Sequence, residues 1–370
     1  MKNQPPKELP SKDQPPGKPR SKRVAYLFIL LGVAIGGYYL QRIYRETDIN
    51  KTILLVTSIP ILSLLLFLIP SCLSTLVDAL AWRNLLPPAV KPSSYWKMVR
   101  LRTASEAVVC TVPMGSILAD PLKMWLLKRE FGMSLMSGAA SVGLRTFLLA
   151  DTQSILTLIV SLIGFSWLAV VSPEILSGNG YLSLLVLCAA GGAILLYSFV
   201  ITAICGSSTI PKLQAKLSRI VYAPVQRWLK ARESHFRELG SELRAFGGTR
   251  SYLLFTSAAL YLFMWSLDGV ETYLLLRILG LEVTFFHAFA LEVVCSFLRS
   301  VAFFLPSGIG LQDSAYIGFL IALGQKQEAA AAFVVMKRAR QLLWITLGYT
   351  LLLIHKRRDG EMFSTVLESA

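Results

Sequence analysis

The sequence predicts an all-α polytopic membrane protein, with about six transmembrane helices and two re-entrant helical hairpins related by an inverted repeat. Three observations carry that prediction. The 370-residue chain is 54% hydrophobic and only 16% charged, with mean hydropathy +0.57, which is too apolar for a soluble protein of this size. Long apolar runs recur at the length needed to cross about 30 Å of hydrocarbon as helix. Two further apolar stretches are broken in the middle, and the breaks repeat at a fixed offset.

Residues 1–23 are Pro, Lys, Gln and Ser with almost nothing to bury, and read as a disordered basic cytoplasmic tail. Val24–Leu40 reads as an uncleaved first span, because Gln41-Arg42-Ile43-Tyr44-Arg45 offers no small-residue cleavage site. Five more runs, Thr52–Trp82, Ser134–Val171, Tyr181–Cys205, Ser251–Leu276 and Ala329–Ile354, complete the six. The stretch Tyr95–Lys128 is interrupted at Val112-Pro113-Met114-Gly115-Ser116, and Phe285–Leu323 at Leu305-Pro306-Ser307-Gly308-Ile309-Gly310. Pro113, Gly115, Pro306, Gly308 and Gly310 break the helix there, and each half is too short to span comfortably. Re-entrant hairpins near 95–128 and 285–323 follow; full crossing by both, giving ten spans, fits the same residues. The organisation is then a first membrane half at 24–205, a basic loop at 206–250, a second half at 251–355 and a cytoplasmic tail at 356–370. The loop's mixed three- and four-residue apolar spacing suits amphipathic helices on the inner leaflet, or a connector docked on the protein.

Thirty-seven Lys and Arg against twenty-two Asp and Glu give a formal charge of +15. On an apolar chain this points to a cytoplasmic membrane surface rather than to nucleic acid. With both termini in the cytoplasm of a bacterial-type inner (plasma) membrane, 27 basic residues fall on inside segments and 5 on outside ones. The remaining five, Arg145, Arg299, Lys337, Arg338 and Arg340, lie within apolar segments. The five cysteines sit singly, without C-x-x-C spacing, so neither a disulfide framework nor a zinc site is expected.

Laying Pro113 on Pro306 sets an offset of 193, at which Gly115 meets Gly308, Leu118 meets Leu311, Asp120 meets Asp313 and Arg145 meets Arg338. Three spans separate the copies, so the second is upside down relative to the first. Many transporters place a substrate site near the midplane between such halves.

Arg145 and Arg338 lie well inside their spans, where each costs about 2.5–3.5 kcal/mol on the insertion scale and requires a partner. Asp151, Asp268, Glu271, Glu292, Asp120 and Asp313 are the candidate carboxylates. Two readings stand. Either acids and bases neutralise one another and hold helices together, or Arg145 and Arg338, with Lys337 and Arg340, leave spare positive charge for an anionic or polar lipid headgroup, which a guanidinium fork binds bidentately. Asp120, ahead of Pro121, and Asp313 suit helix N-caps, whose free N–H groups are also able to face a headgroup. Arg102 with Glu106, and Glu292 with Arg299, fall on shared helix faces and read as internal pairs. No phosphate-binding loop, zinc-protease helix, nucleophile elbow or calcium loop is present, so neither a catalytic motif nor a cofactor is expected.

Two stretches, Arg102-Thr103-Ala104-Ser105-Glu106 then VPMGSILADPLKMWLLKREF with the residues that follow to Leu156, and LEVVCSFLRSVAFFLPSGIGLQDSAYIGFLIALG with AAFVVMKRARQLLW, resemble the flippase-like membrane family. That family includes the transmembrane flippase region of lysylphosphatidylglycerol synthases, and the closest branch is the hopanoid-associated transporter-like proteins. The branch pattern, an acid and then R-x-x-x-F-x-x-P-x-x-x-G-x-Q-E, is matched by Glu292, Arg299, Phe303, Pro306, Gly310 and Gln312, with Asp313 replacing Glu. Its R-x-R-E element appears as Arg338-Ala339-Arg340-Gln341, without the acid, and its Gly-Gly-Glu is represented only by Leu118-Ala119-Asp120, without either glycine. The resemblance implies movement of a polar or anionic lipid, such as a phospholipid, an aminoacylated lipid or a hopanoid, between leaflets or membranes. The implied headgroup-binding set is Arg145, Arg338, Lys337, Arg340, Asp120, Asp313, Gln312, Glu292 and Arg299. Two other classes remain. A membrane-embedded lipid transferase would need Asp120, Asp313 or Glu292 as base or nucleophile; a non-transporting scaffold would dock lipid-synthesis enzymes through the 212–250 loop. Self-association is a further possible partnership.

Overall fold

The computed structural model describes residues 48–90, 95–112, 114–169, 181–205, 233–301 and 305–358. Among these, the secondary structure is helical throughout. The helices are α1 (Ile49–Thr57), α2 (Ile61–Asn84), α3 (Tyr95–Thr111), α4 (Gly115–Leu118), α5 (Asp120–Phe131) and α6 (Leu135–Ile163). After them come α7 (Tyr181–Cys205), α8 (Glu233–Gly247), α9 (Ser251–Ile278), α10 (Phe285–Val301), α11 (Leu311–Ala322) and α12 (Gln327–Arg358).

Local chemistry explains several of the boundaries. Asp48 caps α1 by accepting the Lys51 backbone N–H at 3.2 Å, and that bond, with the Lys51 ammonium beside it, holds the exposed carboxyl below its ordinary range. Pro60, extended at φ −61° and ψ 141°, then precedes α2, so the apolar run expected at Thr52–Trp82 is two helices and the spanning one begins at Ile61. Ser134 starts α6 by accepting the Ser137 N–H at 3.0 Å.

Among the described residues, four helices are long and apolar enough to cross a membrane: α2, α6, α9 and the Leu185–Ala203 part of α7. This is a membrane protein. The expected span Val24–Leu40 lies outside the described residues, as do the tails at 1–23 and 359–370. The expected span Ala329–Ile354 lies within the 32 residues of α12, but Lys337, Arg338 and Arg340 keep its first half from being apolar enough to count with the four.

The 193-residue offset extends to the architecture. It carries α2 onto α9, α3 onto α10, α5 onto α11 and α6 onto α12, with starts that differ by one to three residues. The equivalent helices α2 and α9 pack along each other in opposite directions. Ser257, near the start of α9, donates to the Ala81 carbonyl near the end of α2 at 3.0 Å, whereas Glu271, late in α9, shares Arg340 with Ser71 in the first half of α2. The outer contacts are exchanged between copies: α12 packs on α3, and α6 on α10.

Helix α8 belongs to the basic loop and is docked rather than free. Leu243 and Phe246 are buried among Leu127, Met133 and Leu253, and the Ser134 and Ser137 hydroxyls donate to Glu238 and Glu242. Both carboxylates thus sit at the start of α6, where they complement its helix dipole. Residues 206–232 of the loop lie outside the described chain.

Candidate functional site

The two helix breaks have the same backbone signature. Met114 (φ 54°) and Ser307 (φ 52°) are the non-glycine residues with left-handed backbone among the described residues, and they stand 193 apart. Neither was expected to make the turn. Gly115 is needed for a different reason: a Cβ there would lie 2.1 Å from the Val109 carbonyl oxygen, so the chain doubles back directly against the α3 backbone. Gly308 (φ 63°) and Gly310 (φ 86°) continue the second turn in conformations that suit glycine, and Pro306 begins it. Pro113 lies outside the described residues.

Arg145 on α6 is engaged by a carboxylate that sequence reasoning missed. Its Nε and Nη2 donate to Asp78 on α2 at 2.7–3.2 Å, and its guanidinium stacks 4.8 Å over the Trp82 ring. Arg102 on α3 reaches the same Asp78 at 2.7 Å, so it does not form the expected internal pair with Glu106. Asp78 is 1% exposed and Arg145 7%. The signal was available: the offset that maps Arg145 onto Arg338 maps Asp78 onto Glu271, an acid the sequence had already singled out.

Glu271 on α9 forms the second cluster. Lys337 donates to it at 2.9 Å and Arg340 at 2.5 Å, while Lys337 also reaches Glu292 on α10 at 3.0 Å. Glu292 further accepts from Thr272, Ser296 and Tyr316, and Gln312 donates to the Tyr316 hydroxyl at 3.0 Å. Every lone pair this buried carboxylate offers in those directions is answered, which is the condition for keeping an ion in a poorly polarisable interior. The expected pair Glu292–Arg299 is therefore not made.

Asp313 is the third residue of α11 rather than its N-cap, and it works backwards: its Oδ2 accepts the Gly310 backbone N–H at 3.0 Å. Its Oδ1 accepts from Arg338 at 2.7 Å. Arg338 also donates to the Ser307 carbonyl at 3.3 Å and to Gln341 at 2.6 Å, and Gln341 donates to the Ser307 hydroxyl. The first copy does not repeat this arrangement. Asp120 is the first residue of α5, caps nothing, and pairs with Lys123 at 2.8 Å. Lys123 is itself 4% exposed.

The two breaks meet. The Cys110 thiol at the end of α3 lies against Ser307 and Gln341, within the field of both Glu106 and Arg299, and Thr111 shares a hydrogen bond with Tyr349 of α12. Arg299 is half-buried with its stem against Gly308, and among the described residues no carboxylate lies within 4 Å of it. The junction is thus a polar locus inside an apolar bundle, built by Arg299, Ser307, Arg338 and Gln341, in which the Arg338 side chain is 24% exposed and Arg299 has no acidic partner among the described residues. Such a locus is able to hold an anionic or strongly dipolar group without first breaking an ion pair. Asp151 stands elsewhere, accepting the Ser198 hydroxyl at 3.1 Å.

Of the nine expected headgroup residues, the fold brings Arg338, Asp313 and Arg299 to the junction of the breaks. Gln312, Glu292, Lys337 and Arg340 form the network beside it, and Arg145 and Asp120 lie in the separate cluster of the first copy. A family model described as the lysylphosphatidylglycerol synthase TM region matches residues 29–348. No curated protein matches the chain. A match over that much of the sequence makes the chain a member of the lysylphosphatidylglycerol synthase transmembrane-region family.

Proposed function

We propose that this protein moves a lipid with a polar or anionic headgroup between leaflets or membranes, without covalent chemistry, and that the headgroup is held where the two helix breaks meet. The observation that carries this reading is Arg299, a half-buried guanidinium with no acidic partner among the described residues, beside Arg338, Ser307 and Gln341. The breaks support it further. Helices α3 and α10 have 17 residues each and α5 and α11 have 12, roughly 26 and 18 Å of helix, so none crosses 30 Å alone. We read them as two opposed re-entrant hairpins among six spans, in an inner-membrane protein with both termini cytoplasmic. A headgroup entering between them would be shielded while its tails stay in lipid.

Arg145, saturated by Asp78, then orients helices, and Lys337 and Arg340 set the local field. Phospholipids, aminoacylated lipids and hopanoids are the candidate cargoes, the last by resemblance to the hopanoid-associated branch. Asp120, Asp313 and Glu292, the carboxylates a transferase would use, are each ion-paired, which favours the non-catalytic reading. The test is mass spectrometry of lipids retained by gently purified protein, comparing wild type with Arg299→Ala and Arg338→Ala. One lipid class enriched over bulk membrane in wild type and lost in Arg299→Ala supports the proposal. Bulk composition in all three overturns it.

A further inference from the structure

A half-open pocket with room for about one water-sized group lies between α6, α9 and α10, lined by Gln153, Leu156, Trp265, Glu292, Val293 and Ser296. Two of its polar walls are unanswered. The Gln153 Nε2 and the Trp265 Nε1 are both buried, and neither finds an acceptor among the described residues, although Gln153 is only 4% exposed. A buried donor left without a partner is costly, so an interior that retains two around one cavity points to an occupant.

The walls also define its chemistry. Glu292 disfavours an anion here, and two N–H groups disfavour a cation. The Gln153 Oε1 accepts from Ser300 at 2.7 Å, which leaves its amide N–H to face inwards; turning the amide end over presents the oxygen instead. A hydroxyl answers both orientations, since it accepts from Trp265 and either accepts from the Gln153 amide N–H or donates to the amide oxygen. The pseudo-equivalent positions in the other copy, Thr346, Cys72, Val99 and Thr103, form no such pair of donors. There Gly348 lets α12 close on α3, and a Cβ at that glycine would meet the Thr103 carbonyl oxygen at 2.5 Å. Where only packing is required the chain packs; the polar cavity is particular to one side.

We propose that this cavity is a subsite for a headgroup hydroxyl of the transported lipid. It rests on the translocation reading above and adds a substrate class: lipids whose headgroup carries a free hydroxyl. Through Glu292, Tyr316 and Gln312 the cavity is joined by hydrogen bonds to the start of α11, next to the Asp313–Arg338 pair.

The experiment uses the full chain in nanodiscs containing equal amounts of phosphatidylglycerol and phosphatidylethanol, which match in charge and chains but differ in headgroup hydroxyls. Retained lipid is read by mass spectrometry. Wild type is expected to favour the hydroxylated lipid by about fivefold or more, the range set by leaving buried donors unpaired. Trp265→Phe and Gln153→Leu each bring the ratio close to one while total retained lipid stays unchanged. No preference in wild type, or a preference unaltered in both variants, overturns the subsite and leaves translocation standing. Retention of neither lipid overturns the transport reading, and the subsite with it.

Discussion

Asp78 and Glu271 occupy equivalent positions 193 residues apart, and each carboxylate holds two basic side chains of its own copy. Asp78 binds Arg102 and Arg145; Glu271 binds Lys337 and Arg340. In both copies an acid on the helix before the break is tied to a base on the long helix after it. The two helices that flank each hairpin are thereby clamped together.

Removing one member of such a clamp strands its partners in the interior. Asp78→Ala should destabilise the protein by about 3–5 kcal/mol, because Arg145 and Arg102 lose a carboxylate that is 1% exposed. Thermal unfolding in detergent measures this. Asp78→Ala with Arg145→Leu should cost less than the sum of the single changes, since the deeper stranded charge is then absent.

Gly115→Ala should destabilise by about 1–3 kcal/mol, the range for a group forced into occupied space. Its Cβ would meet the Val109 carbonyl oxygen at 2.1 Å, and backbone cannot rotate away as a side chain can. Gly143→Ala, with nothing within 4 Å, is the control and should leave Tm unchanged or slightly raised.

Met114→Gly should raise stability by about 1 kcal/mol, since a left-handed conformation strains a residue with a Cβ and not glycine. Differential scanning fluorimetry reads the shift. A fall in Tm would mean that the Met114 side chain contributes more through packing than its backbone loses.

Phe246 is 2% exposed and fixes α8 to the bundle. Phe246→Ala should loosen α8 at a cost of about 3–5 kcal/mol of local packing, seen as faster limited proteolysis within Glu233–Gly247 while the spanning helices stay protected.

The helical class, most long helices, both breaks and the 193-residue repeat could be read from the chain, because hydrophobic length and Pro/Gly punctuation are local signals. The ion pairs could not. Asp78 stands six residues before the end of α2, where an acid looks interfacial; only its match to Glu271 under the offset reveals it as buried. Asp120 ahead of Pro121 has the sequence of an N-cap, yet the preceding turn of α4 already supplies Ala119 at that place. Glu292 and Arg299 share a helix face, but Lys337 from α12 competes successfully for the carboxylate, a tertiary contact that spacing within one helix does not encode.

Lipid translocation is tested most directly in vesicles carrying a headgroup-labelled lipid in both leaflets, with a membrane-impermeant reductant added outside. Without translocation only the outer half of the label is bleached. Wild-type protein should carry bleaching well beyond half within the assay, and Arg299→Ala should slow the second phase by at least about tenfold at equal protein incorporation. Bleaching that stops at half with wild type, across phospholipid, aminoacylated and hydroxylated headgroups alike, would contradict transport and leave the arginines as parts of the scaffold.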